Sequence, residues 1–188
     1  ALGMALAFVS ADRDSPTSRA MALFLAFVAI SIELNIVIGL GYAIAPQYTG
    51  WFAIPETLSM IAILEWILRV RRTVPSRDLA TRFGDRLLRL GQAVSLVYLG
   101  ASLMFPVERS DQFLGALDTP DALDSVYFWL FAGPVLFVQL CGFFAVLLLM
   151  RRRPDLPERI RLVAMCAAIP FFVFAFVAPI ELNGVVMV

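Results

Sequence analysis

The chain has 188 residues, 61% of them hydrophobic and only 16% charged, with fifteen basic and fifteen acidic side chains and no formal net charge. A soluble domain carries far fewer apolar residues, so composition places the chain in a bilayer, and its neutral balance gives no sign of nucleic acid as a partner. Every basic residue is Arg; the lack of His and Lys excludes bis-imidazole haem, His-ligated zinc, a Ser-His pair and a Schiff base.

The pattern predicts an all-α integral membrane protein, a single domain over 1–188 built as a bundle of five transmembrane helices plus a partial N-terminal one. Ala1–Ser10 (ALGMALAFVS) is apolar but too short to span, and it lacks the basic start and cleavage site of a signal peptide. It reads as the tail of a helix that begins earlier, and the apolar run up to Val188 likewise reads as continuing. Both ends suit a piece of a larger membrane protein.

The five spans are expected at 21–45, 51–68, 88–105, 126–150 and 162–188, each close to the roughly 20 residues a helix needs to cross hydrocarbon. Leading into the third, 77–90 carries Leu79, Phe83, Leu87 and Leu90 on one stripe, with Asp78/Arg82 and Asp85/Arg89 spaced for i,i+4 pairing. This segment is expected to be an interfacial helix. Thr119-Pro120 has the form of a helix cap followed by Pro, and is expected to open the entry to the fourth span.

Arginine fixes the expected orientation. Fourteen of the fifteen lie in the linkers 11–19, 69–89 and 151–161, whereas the alternate side has Arg109 alone among several acids. The positive-inside rule makes the Arg-rich linkers cytoplasmic in a bacterial inner membrane, with the chain multi-pass. Tyr42, Tyr48, Trp51, Tyr127 and Trp129 then cluster at outer helix ends, as interface belts require. Glycines Gly39, Gly41, Gly91 and Gly100 mark places where helices are expected to approach closely.

Four carboxylates fall in or near spans. Glu56 follows Pro55 at a helix start, where the dipole favours it, and Glu65 sits four residues before Arg69 as an i,i+4 pair. Glu33 is different, because it is the middle residue of 21–45, about 18 Å from either end. A carboxyl at that depth must be paired, hydrated or protonated, which makes it the leading ligand-binding or proton-linked candidate. Asn35 is a further candidate but leaves the helix on another face, so Glu33 and Asn35 do not form one compact site. The expected hydrogen-bond partners on other spans, and candidates with Glu33, are Tyr98, Gln92 and Gln139, with Ser95 and Ser59 beside them.

The tripeptide Glu-Leu-Asn recurs at Glu181–Asn183, giving Glu181 and Asn183 as secondary candidates. Depth separates the copies. Glu33 lies fourteen residues after Arg19, but Glu181 lies twenty after Arg161, a difference of about 9 Å that carries Glu181 to the outer interface. No catalytic residue, metal site or cofactor is expected: Cys141 and Cys166 fall in apolar runs as small hydrophobes, and no phosphate loop or nucleophile motif occurs.

After an apolar segment, the stretch Arg13–Phe24 (RDSPTSRAMALF) resembles the first cytoplasmic turn of multi-helix membrane input domains. In bacterial sensors such domains precede histidine kinase, diguanylate cyclase or nucleotide cyclase modules. The resemblance covers a dozen residues and a layout, and no functional residue is carried over by it. It implies a sensory or signal-input module without catalytic chemistry of its own. An accessory or assembly subunit of a larger membrane complex, and a small transporter or channel using the Glu33 carboxylate, are the alternatives. The lipid bilayer is the expected partner, together with other membrane subunits or a second copy.

Overall fold

The computed structural model describes residues 15–39, 46–72, 79–110 and 126–150. All regular structure among them is helical. The order is α1 (Pro16–Gly39), a 3-10 helix (Pro46–Phe52), α2 (Ala53–Arg72), α3 (Leu79–Met104), the short α4 (Pro106–Ser110) and α5 (Val126–Met150). Four segments are long and apolar enough to cross a membrane: Pro16–Leu34, Tyr48–Val70, Arg82–Met104 and Trp129–Leu148. The expected fifth span at 162–188, the partial helix at 1–10 and the Thr119-Pro120 cap lie outside the described residues.

Local chemistry explains the helix boundaries. Ser15 caps α1: the Ser18 amide donates to Ser15 Oγ at 3.3 Å and the Arg19 amide to Ser15 O at 3.1 Å. Pro16, the first helical residue, has no amide that would need a partner there. The first helix therefore begins five residues before the apolar run that suggested it. At the third span the difference is larger. The expected interfacial helix and the span are one continuous helix, α3, because nothing between Leu79 and Met104 breaks the backbone ladder. It ends where Pro106 cannot continue it; the Phe105 amide closes the last turn onto Ala101 O at 2.9 Å. The fourth span, Val126–Met150, agrees with expectation and tolerates Pro134 in its interior.

The helices pack in sequence: α1 lies mainly on α2, α2 on α3, and α3 on α5. The core is a continuous cluster that includes Ala53, Met60, Leu64 and Ile67 of α2, Leu88, Tyr98 and Ala101 of α3, and Phe131, Val138, Ala145 and Val146 of α5. Gly91 sits where three helices meet. A methyl group there would lie 2.9 Å from Leu64 Cδ1 and 3.3 Å from Cys141 Cβ, so the missing side chain lets α2 and α5 close on α3. Gly100, by contrast, has nothing within 4 Å of such a methyl group and marks no close approach.

At the opposite end from the arginines, the 3-10 helix is pinned beneath the α3–α4 corner. Thr49 Oγ1 donates to Pro106 O at 2.7 Å, and Gly50 lies so near Ser102 O that a Cβ would come within 2.5 Å of it. Phe105 and Tyr127 meet at a centroid distance of 5.9 Å, tying α5 to the same corner.

Candidate functional site

The contact line between α2 and α3 is mainly apolar, with buried hydroxyls among its positions, and is flanked by an acid on each side. On α2 the buried positions Ala53, Thr57, Met60, Leu64 and Ile67 follow helical spacing, as do Leu88, Gly91, Ser95, Tyr98 and Ser102 on α3. Glu56 and Glu65 are nine residues apart, so at about 100° per residue they leave α2 on opposite sides of that line. Each meets a residue of the antiparallel α3.

Near the aromatic end, Tyr98 Oη donates to Glu56 Oε2 at 2.5 Å. Tyr98 is only 2% exposed and reaches the carboxylate from within the core. A hydroxyl-to-carboxylate bond of this length is charge-assisted and among the stronger contacts one helix can make with another. Glu56 stands in the first turn of α2, where the helix dipole also favours a negative charge. Its own carbonyl accepts from Ser59 Oγ at 2.7 Å. Next to the pair in sequence and one turn along lie Thr57 and Ser102, both fully buried, whose hydroxyls have no hydrogen-bond partner among the described residues. Ser95 satisfies its hydroxyl locally, donating to Gly91 O at 2.9 Å.

Toward the arginine end, Glu65 Oε1 accepts from Arg69 Nε at 2.7 Å, and Glu65 Oε2 accepts from Gln92 Nε2 at 3.4 Å. Arg69 also donates to Pro16 O at 3.0 Å. One guanidinium thus joins the first residue of α1, the last turns of α2 and, through Glu65, α3. The geometry has a simple cause. Side chains lean toward the N-terminus of their own helix, and α2 runs toward the arginine end, so Arg69 is directed back over Glu65.

The sequence-derived candidates separate accordingly. Glu33 is exposed six residues before Gly39 in α1 and next to the end of the membrane-length stretch Pro16–Leu34, not at its centre, with no hydrogen bond or ion pair among the described residues. Tyr98 and Gln92 are polar contacts between helices, but their carboxylates are Glu56 and Glu65. Ser59 and Ser95 bond to their own helices, and Gln139 is half-buried on α5. Asn35 belongs to α1, its side chain lying outside the described residues, as do Glu181 and Asn183 altogether. Sequence reasoning passed over Glu56. Its signal was present in the antiparallel order of α2 and α3, which sets the start of one helix beside the end of the other. Among the described residues no group of His, Cys, Asp or Glu is placed to hold a metal ion.

Comparison with protein-family models, with curated proteins and with solved structures gives no match, so the functional reading rests on the chemistry of the chain itself.

Proposed function

We propose that the chain is the membrane-embedded input module of a bacterial inner-membrane signalling protein, without catalytic chemistry of its own. Its Arg-rich linkers 11–19, 69–89 and 151–161 face the cytoplasm, and a fifth span at 162–188 completes the bundle. In this reading the Glu56–Tyr98 contact is the element that senses, and the Glu65–Arg69–Gln92 contact with Pro16 is the element that reports. The observation that carries it is the pair of buried hydroxyls, Thr57 and Ser102, without a partner among the described residues and next to a strong interhelical bond. Unused polar capacity in a core costs stability, about 1–3 kcal/mol per group, so it is kept where something else makes use of it. A small polar ligand or a proton arriving at the aromatic end would compete for Glu56 and Tyr98. The rigid α2–α3 seam would then carry the displacement to the arginine end.

The test is a distance measurement in lipid nanodiscs between spin labels at Thr17 on α1 and Arg86 on α3. Tyr98→Phe should shift or broaden the distance distribution at the arginine end. A distribution unchanged from wild type removes the link between the two contacts, and with it the input-module reading.

A second reading, an assembly subunit, is favoured by the exposed Glu33 on α1, which among the described helices packs chiefly on α2. An exposed carboxyl within a membrane-length helix is costly against lipid and cheap against a polar partner helix. Loss of a stoichiometric membrane partner on Glu33→Leu, with the fold retained, would support it.

A further inference from the structure

The exposed face of α3 changes character along its length. At about 100° per residue, Arg82, Arg86 and Arg89 lie within an arc of about 60°. All three are exposed and make no ion pair among the described residues. Phe83, 60% exposed, and Leu90, 52% exposed, flank them on one side. The exposed face then continues, widened to an arc of about 120°, through Leu96, Val97, Leu103 and Met104, each exposed and apolar. The opposite face of the helix, with Leu88, Gly91, Ser95, Tyr98 and Ser102, is buried. A single helix stripe therefore passes from cationic to apolar within about one turn beyond Arg89.

The depth of that change matters. From Arg89 to Met104 is fifteen residues, about 22 Å, which is shorter than the roughly 30 Å of bilayer hydrocarbon. With Met104 at the far boundary, Arg86 and Arg89 fall within that thickness and must bend back to the headgroups. They are built to do so, because α3 begins at the arginine end and its side chains lean toward that N-terminus. Such bending would bring the three guanidiniums toward phosphate depth, with Phe83 and Leu90 beside them on the same side of the helix. Asp85, the acid within this stretch, is half-buried and has an interaction of its own.

We propose that this stripe is a docking surface for an acidic phospholipid of the leaflet at the arginine end. The guanidiniums of Arg82, Arg86 and Arg89 hold the headgroup phosphate, for which their planar donors are suited. One acyl chain lies along Leu90, Leu96 and Val97. The inference stands apart from the signalling role, since it uses a face of α3 turned away from Glu56 and Glu65.

The experiment compares spin-labelled phosphatidylglycerol with spin-labelled phosphatidylcholine around the full chain in phosphatidylcholine vesicles. The motionally restricted fraction should favour phosphatidylglycerol several-fold. High salt should diminish the preference, and each arginine neutralised in R82Q, R86Q and R89Q should lower it by up to about fivefold. The triple Lys variant keeps the charge but lacks the paired planar donors, so it should retain part of the preference; full retention would refute the role given to the guanidinium fork. Equal restriction of both lipids by the wild-type chain would overturn the proposal, independently of how any variant folds. So would displacement of the labelled lipid by excess inorganic phosphate at constant ionic strength, which would make the site one for a soluble anion.

Discussion

Three glycines occupy three different environments, and alanine at each separates what packing contributes from what helix propensity contributes. Within a helix, Gly→Ala alone favours folding by about 1 kcal/mol. At Gly100 the new methyl group meets nothing within 4 Å, so most of that gain should appear. At Gly91 the methyl would sit 2.9 Å from Leu64 Cδ1 and 3.3 Å from Cys141 Cβ. A leucine tip can ordinarily rotate aside, but Leu64 is 1% exposed and wedged in the core, so it has little room. Overpacking of this kind costs about 1–3 kcal/mol, which outweighs the propensity gain and leaves G91A destabilised by about 1 kcal/mol. At Gly50 the obstacle is the Ser102 backbone carbonyl at 2.5 Å, with Pro106 Cβ at 3.3 Å behind it. Backbone cannot rotate away, so the 3-10 helix must separate from α3, at a cost of at least about 2 kcal/mol. Equilibrium unfolding in mixed micelles should give the order G100A, wild type, G91A, G50A from most to least stable. If G91A equals or exceeds wild type, the three-helix junction at Gly91 is wrong; if G50A is neutral, the corner under Pro106 is wrong.

Other substitutions probe the polar flanks. Thr57→Val and Ser102→Ala remove buried hydroxyls that have no partner among the described residues, so each should be neutral or stabilising by up to about 1–2 kcal/mol in the same unfolding assay. A clear loss of stability would mean that the hydroxyl is bonded in the bilayer. Arg69→Gln removes the contacts to Glu65 and Pro16 O, which are partly exposed and so worth about 1 kcal/mol or less together. Its local effect should be plainer, as faster hydrogen exchange in the first turns of α1; unchanged exchange there would show that Arg69 does not hold α1 to α2.

Much of the architecture was legible because bilayer physics writes it into composition. Apolar runs of membrane length gave helices for all four described spans, and Val126–Met150 emerged with its bounds intact. Glu65 and Arg69 pair as their i,i+4 spacing required. Boundaries were legible only where a local signal overrode hydropathy. Ser15-Pro16 capped α1 earlier than its apolar run, and the charged first turns of α3 concealed that helix and span are continuous. The site was harder to read for a physical reason. Depth along one helix can be counted from the sequence, but a polar group's partner depends on the rotation and register of two helices. Counting singled out Glu33 as the deepest carboxylate. Register instead joined Glu56 to Tyr98 and Glu65 to Gln92, at places where each acid alone had an ordinary explanation.

The central claim is that the Glu56–Tyr98 bond holds α2 and α3 together within the membrane, and a double-mutant cycle over Glu56→Gln and Tyr98→Phe tests it most directly. Interhelical hydrogen bonds in membranes couple by about 0.6 kcal/mol on average and reach about 1.7 kcal/mol. A charge-assisted bond of 2.5 Å belongs at the upper end of that range. The expected result, measured by reversible unfolding in bicelles, is a favourable coupling of about 1–2 kcal/mol. Strictly additive single substitutions would mean that the two side chains do not meet in the bilayer, and would contradict the account.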